Sequence, residues 1–275
     1  MTFFEYRRSV SPLRYIGNKS KHAIHLASKL PISSKLVSPF VGGGSVEIAY
    51  AVQNPDAVIH LNDLNPNVSV FWQSILNPSL FFSSLVQIRH AYNELTQGKP
   101  DKEIGKEWRK RREASLAKTF ILSRLSCSGN LHSGGFSSEG GRFTIDSIEK
   151  LIDFAEWIQN RPNQFIVSCE DFADVIRDST DCVLFLDPPY PSSRDKRRYK
   201  GHKEFNIRDL AGCLSTFDGD WVMTLDDTPE HRQLFSEASI ESLNVVYGSS
   251  NVDRKRCTRK QKLLISNAGT LCQVS

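Results

Sequence analysis

An apolar run, Cys182-Val183-Leu184-Phe185-Leu186, stops abruptly at Asp187-Pro188-Pro189-Tyr190. Such a run, ended by an acid and two prolines, fits a buried parallel strand whose carboxyl end opens into a cleft. Proline has no N–H and a fixed φ, so Pro188 and Pro189 hold a short rigid loop whose carbonyls no ladder claims. A carboxylate, a fixed carbonyl and an aromatic face then point into the same space. That set suits a flat base with an exocyclic NH2: Asp187 and the Pro188 carbonyl accept its two hydrogens, and Tyr190 stacks on the ring. The plainer alternative is a tight turn after a core strand.

Further strand candidates alternate with helical stretches, as a parallel βαβ sheet requires. Lys35 to Pro39 runs into Phe40-Val41-Gly42-Gly43-Gly44, followed by a helix over Ser45 to Gln53. Val58 to Asn62 ends at Asp63 and precedes a helix from Pro66 to Leu76. Phe165 to Ser168, Val183 to Leu186, Trp221 to Leu225, Ser242 to Val246 and Leu263 to Ile265 complete the set. The pattern predicts an α/β, doubly wound, Rossmann-like sheet. A chain of 275 residues has room for one such domain, over residues 1–76 and 164–275, and a mainly helical insert over 77–163. Within the insert, Ser126 to Phe143 is too rich in glycine and serine to be core. It reads as an exposed hairpin or loop, and long loops in compact domains are more often functional than idle.

Composition narrows the partners. No apolar run is long enough for a membrane span or a signal-peptide core. The six cysteines are scattered without a C-x-x-C pair, as expected for reduced thiols in a cytosolic protein rather than zinc ligands; no metal is expected. The net charge is only +4, but basic residues crowd into Lys102 to Lys118, Arg194 to Lys203 and Arg254 to Lys262. A basic run is usually a solvated helix face, whereas three runs beside loops or clefts fit a phosphate backbone.

Gly42-Gly43-Gly44 sits at a strand-to-helix turn, where glycine lets a ligand lie against the loop and the helix N-terminus. Asp63 ends the next strand. There an acid either accepts hydrogen bonds from the ribose of a nucleoside cofactor or caps the following helix. The spacing is neither G-x-G-x-x-G nor followed by G-K-[ST], so NAD and ATP are not favoured.

Taken in order, Tyr15-Ile16-Gly17-Asn18-Lys19, Phe40-Val41-Gly42-Gly43-Gly44, Asn62-Asp63 and Asp187-Pro188-Pro189-Tyr190 resemble the motif set of the Dam-like, alpha-type adenine-N6 DNA methyltransferases. The resemblance runs from Pro12 to about Ile265. It implies a sheet of about seven strands, S-adenosylmethionine as cofactor and double-stranded DNA as partner. A monomer is expected, with a dimer as the alternative. Tyr15, Lys19, Phe40, Gly42, Gly44 and Asp63 would line the cofactor pocket, with Asp171 and Phe172 beside its adenine. Lys19 standing alone would read as a surface lysine. Asp187, Pro188, Pro189 and Tyr190 would carry catalysis, Asp187 facing both methyl donor and target amine.

The same resemblance implies that the target adenine leaves the duplex. The stretch from Pro191 to Tyr199 and Phe205 would close over it, with Arg197, Tyr199 and Lys200 on the DNA. Around the Gly/Ser-rich tract, Arg124, Asn130, His132 and Arg142 carry donors that could read base edges. The alternative there is a mobile loop with Arg142 on a phosphate. Ser126-Cys127-Ser128-Gly129 replaces the aromatic, Asn-Gly-rich hairpin of many relatives, so the target GATC does not follow. The other functional readings are methylation of an amine in RNA or protein, and DNA binding without turnover.

Overall fold

The structure is a computed structural model and describes residues 11–127, 129–132, 134–136, 141–189, 205–246 and 259–268. The apolar runs become strands β1 (Lys35–Ser38), β2 (Val58–Asn62), β3 (Phe165–Ser168), β4 (Val183–Leu186), β5 (Trp221–Asp226), β6 (Ser239–Val246) and β7 (Arg259–Ser266). They form a seven-stranded sheet in the order β3-β2-β1-β4-β5-β7-β6. All pairings are parallel except those of β7, which runs antiparallel to β5 and β6. Strand order reverses between β1 and β4, so the loops leaving their carboxyl ends diverge and open a crevice at that point.

Ten helices are described: α1 (Ala23–Ser28), α2 (Ser45–Gln53), α3 (Pro66–Leu76), α4 (Pro78–Thr96), α5 (Asp101–Lys110), α6 (Leu116–Leu125), α7 (Ile145–Gln159), α8 (Phe172–Arg177), α9 (Ile207–Ser215) and α10 (Pro229–Leu234). Asn65 and Asn77 cap α3 and α4, each followed by a proline at the first helical position, which suits a residue without an N–H.

Successive side chains of a strand point to opposite faces, and here they feed two cores. Leu36, Ile59, Leu61, Val183, Phe185 and Leu264 join one cluster, while Val37, Leu184, Leu186, Met223, Leu263 and Ile265 join the other. The first face also takes Trp72 of α3 and, from the inserted helices, Ile88, Trp108, Phe120 and Phe154. The second takes Val175, Ile207, Leu210 and Leu214 of α8 and α9. Both faces of the parallel strands are therefore covered, as continuous apolar runs demand.

The sequence reading stops short at the antiparallel end. β6 begins at Ser239 and β7 at Arg259, where the apolar pattern locates only Ser242 onward and Leu263 onward. Backbone pairing from Ser239↔Ser266 to Val246↔Arg259 extends both strands through polar residues. An edge hairpin needs no continuous apolar run. Among the described residues no helix is long and apolar enough to cross a membrane.

Candidate active site

The loop from Phe40 to Gly44 links β1 to α2 and is clamped from several sides. Gly42 adopts φ +46° and its missing Cβ would lie 3.0 Å from the Tyr15 ring. Gly44 begins α2 at φ +64°, and a Cβ there would come within 2.4 Å of Trp72 Cζ2. Left-handed backbone and close approach together require glycine. Trp72 Nε1 donates to the Gly42 carbonyl at 3.2 Å, Ser11 Oγ donates to the Gly43 carbonyl, and Ser45 Oγ bonds Asn18 Oδ1 at 2.5 Å.

Asp63, at the end of β2, holds the loop from below. Its carboxylate accepts Gly42 N–H and Asn65 N–H, both at 2.9 Å. Burial pushes this carboxyl up to about 6, and the two backbone N–H groups pull the other way. The cap of α3 itself is Asn65, whose side chain accepts from Asn67 N–H. Asp63 therefore braces the glycine loop and the β2–α3 turn, a role between the two alternatives the sequence leaves open.

Across the crevice, the β4 strand delivers Asp187. Its Oδ1 accepts from Thr224 Oγ1 at 2.6 Å and its Oδ2 from Lys19 Nζ at 2.5 Å. Lys19 is 4% exposed and also donates to the Gly17 carbonyl, so it is a buried partner of Asp187 and not a surface lysine. β4 and β5 pair as Leu186↔Met223, which sets Asp187 beside Thr224. Two pairs beyond Thr224, Asp226 opposes Lys262 on β7, and Lys262 Nζ reaches Asp226 at 2.6 Å while only 3% exposed. Glu47 of α2 lies buried nearby and accepts from Ser38 Oγ at 2.6 Å. Burial raises its carboxyl to about 7; Ser38 and Lys19 oppose that rise and Asp187 adds to it. A cavity of about 220 Å³ adjoins this cluster, lined by Lys19, His22, His25, Thr224, Ser242 and Lys262 among others.

Phe40 and Phe172 meet at 5.4 Å between ring centroids, and Phe205 packs against both at 5.6 and 5.7 Å. Phe205 thus joins the aromatic wall beside the β1 loop. Asp171 caps α8 by accepting Ala173 N–H at 3.0 Å. Tyr190, Arg197, Tyr199 and Lys200 lie outside the described residues.

The tract after α6 closes as a hairpin, with a bridge between Ser126 and Phe136 and a Cys127 N–H to Gly135 carbonyl bond. His132 is exposed and Arg142 half-buried, the latter donating to the Cys127 carbonyl at 2.9 Å. Asn130 is 5% exposed and turns the chain by accepting His132 N–H. Arg124 bonds the Pro12 carbonyl at 2.5 Å and lies 5.1 Å from the Phe120 ring centroid. Burial, and then Arg14, presses its guanidinium below the ordinary arginine range. Arg124 and Asn130 are thus built into the junction of the insert with the N-terminal segment. The basic run before them is partly structural too: Arg109 stacks on Phe136 at 4.1 Å, and Lys118 donates to the Arg111 carbonyl. In the last basic run, Lys262 is committed to Asp226.

The sequence reading did not name Glu47, Trp72, Thr224 or the Asp226–Lys262 pair. Thr224 carried a signal: a hydroxyl inside the apolar stretch Trp221 to Leu225. Lys262 carried none, because its partner is fixed only by the β5–β7 register.

A mainly parallel seven-stranded sheet with β7 antiparallel, a glycine loop after β1 and an acid after each of β2 and β4 defines a Rossmann-like methyltransferase fold. Residues 15–248 match the family described as D12 class N6 adenine-specific DNA methyltransferase. The chain belongs to that family and is an adenine-N6 DNA methyltransferase. No curated protein matches it. Among the described residues no group of three or more His, Cys, Asp or Glu could hold a metal ion.

Proposed function

We propose that the chain transfers a methyl group from S-adenosylmethionine to N6 of an adenine flipped out of duplex DNA. The observation that carries the reading is the Asp187 carboxylate at the β1/β4 crevice, fixed on one oxygen by Thr224 and on the other by Lys19. The residues around it fit the donor: a cradle formed by the glycine loop, where a Cβ at Gly42 or Gly44 would run into Tyr15 or Trp72, Asp63 at the end of β2 for the ribose, and the Phe40–Phe172 wall for a flat base. Tyr15 and Lys19 line the same cradle from the N-terminal segment, and Asp171 borders it from α8.

When bound, the donor supplies a methyl already activated on a positively charged sulfur. The chain's task is to present a nitrogen lone pair in line with the carbon–sulfur bond. That lone pair is delocalised into the adenine ring. Asp187 and the Pro188 carbonyl accept the two N6 hydrogens and favour a tetrahedral nitrogen as positive charge develops on it. Pro189 stiffens the turn, and Tyr190 stacks on the base. The new N–C bond forms from the nitrogen pair while the C–S electrons return to sulfur, and the surplus N6 proton passes to solvent.

Residues 1–76 and 164–275 bind the donor and carry the chemistry, and residues 77–163 read the target. His132 and Arg142, on the accessible side of the hairpin, contact DNA, and Arg197, Tyr199 and Lys200 clamp the flipped nucleotide. Asp187→Asn keeps the shape and tests the mechanism. Transfer of labelled methyl to duplex DNA should vanish while mobility-shift affinity for the duplex stays near wild type, because phosphate contacts dominate affinity. Wild-type turnover in that variant would overturn the mechanism.

A further inference from the structure

Asn65 is 5% exposed, and the orientation of its amide is dictated locally. Oδ1 accepts from Asn67 N–H at 3.1 Å and from Asn67 Nδ2 at 3.2 Å. Turning the amide over would set its NH2 against those donors and remove the α3 cap. Nδ2 therefore points away from the helix, toward Tyr15 Oη and His132 Nε2, each at 3.4 Å. An amide NH2 only donates, so His132 Nε2 must offer a lone pair and its ring proton sits on Nδ1.

Three segments meet at this amide. Tyr15 comes from the N-terminal stretch, with its ring against Gly42. Asn65 belongs to the β2–α3 turn, and its N–H bonds the Asp63 carboxylate that also holds Gly42 N–H. His132 comes from the hairpin of the insert. We infer that His132 is a positioning residue for the methyl-donor pocket: its acceptor nitrogen steadies the Asn65 amide, and through it Tyr15, against the glycine loop. The insert thereby completes a pocket otherwise built from the sheet. This inference rests on the cofactor reading above and gives His132 a task in the absence of DNA.

Calorimetric titration of the full chain with S-adenosylhomocysteine, without DNA, tests it. His132→Ala should weaken binding about three- to tenfold, the range of one neutral hydrogen bond. His132→Gln, whose Oε1 falls near the place of Nε2, should restore affinity to within about twofold. His132→Lys, which only donates, should not restore it. In turnover with saturating duplex, the alanine variant should raise KM for the donor, and the glutamine variant should bring it back toward wild type. Thermal melting of the variants should match wild type, since His132 is exposed. Unchanged DNA-free affinity in His132→Ala overturns the inference and leaves the cofactor reading standing. Equal losses in the alanine and glutamine variants overturn it as well, because the acceptor would then be irrelevant. If wild type does not bind S-adenosylhomocysteine, the cofactor reading fails and the inference with it.

Discussion

Lowering the pH should weaken donor binding through Asp63 well before the protein as a whole is acid-denatured. Burial lifts the Asp63 carboxyl from 3.8 to about 6, and a ribose needs the ionised form as acceptor. At pH 7.5 nearly every molecule carries the carboxylate, whereas at pH 5 only about one in eleven does, so affinity should fall about tenfold, or ~1.4 kcal/mol. The stability linkage has the opposite sense. With its folded value above its unfolded one, Asp63 favours folding below about 3.8 and loses that contribution as pH rises through about 6, a cost of ~3 kcal/mol at neutral pH. In Asp63→Asn that cost is relieved, but the amide strands one of the N–H groups of Gly42 and Asn65, returning ~1–3 kcal/mol. The variant should therefore melt near wild type. Calorimetry with S-adenosylhomocysteine across pH 5 to 8, on wild type and Asp63→Asn, separates this group from Glu47, which both proteins keep and whose carboxyl burial raises to about 7. A wild-type curve with the same slope as the variant's would refute the assignment, whatever the absolute affinities.

Gly44→Ala should destabilise by roughly 2–5 kcal/mol in chemical denaturation, from left-handed backbone and overpacking against Trp72; a loss under about 0.5 kcal/mol would show that the loop yields. Asp187→Ala should unfold more readily than Asp187→Asn, because both lose the charge beside the buried Lys19 but only asparagine keeps an oxygen that can still accept from Lys19 or Thr224, although both should be inactive; equal stability of the two in urea would discount those hydrogen bonds. Arg124→Ala should cost about 1–3 kcal/mol of stability with an unaltered methylation motif, measured by melting and by sequencing of modified sites. Arg142→Ala should melt near wild type and either relax the motif at one position or lower the salt dependence of binding. A relaxed motif in the Arg124 variant would move recognition into the insert junction.

The parallel strands were legible because burial on both faces writes them as apolar runs, and β2, β3 and β4 fall on the residues that pattern picks out. Gly42, Gly44, Asp63 and Asp187 were legible as a set because each sits at a strand end, where the topology gathers them. The roles of the polar side chains were less so. Asn130 and Arg124 carry donors in the sequence, yet Asn130 is buried in a turn where its oxygen accepts His132 N–H, and Arg124 donates to the Pro12 carbonyl. Thr224 and Lys262 sit far from the motifs in sequence and reach the site only through strand register, and Glu47, three residues after Gly44, reaches it through the packing of α2. Hydrophobic periodicity records which face is buried. It does not record which polar group another will meet there.

Methyl transfer to DNA with identification of the modified base tests the central claim most directly. The chain is incubated with labelled S-adenosylmethionine and duplex DNA, the DNA is digested to nucleosides, and the labelled product is identified by mass spectrometry. N6-methyladenine should form at a defined sequence and be absent with Asp187→Asn. Label in N4-methylcytosine, in RNA or in protein but not in DNA adenine, or N6-methyladenine formed equally by Asp187→Asn, would contradict the account.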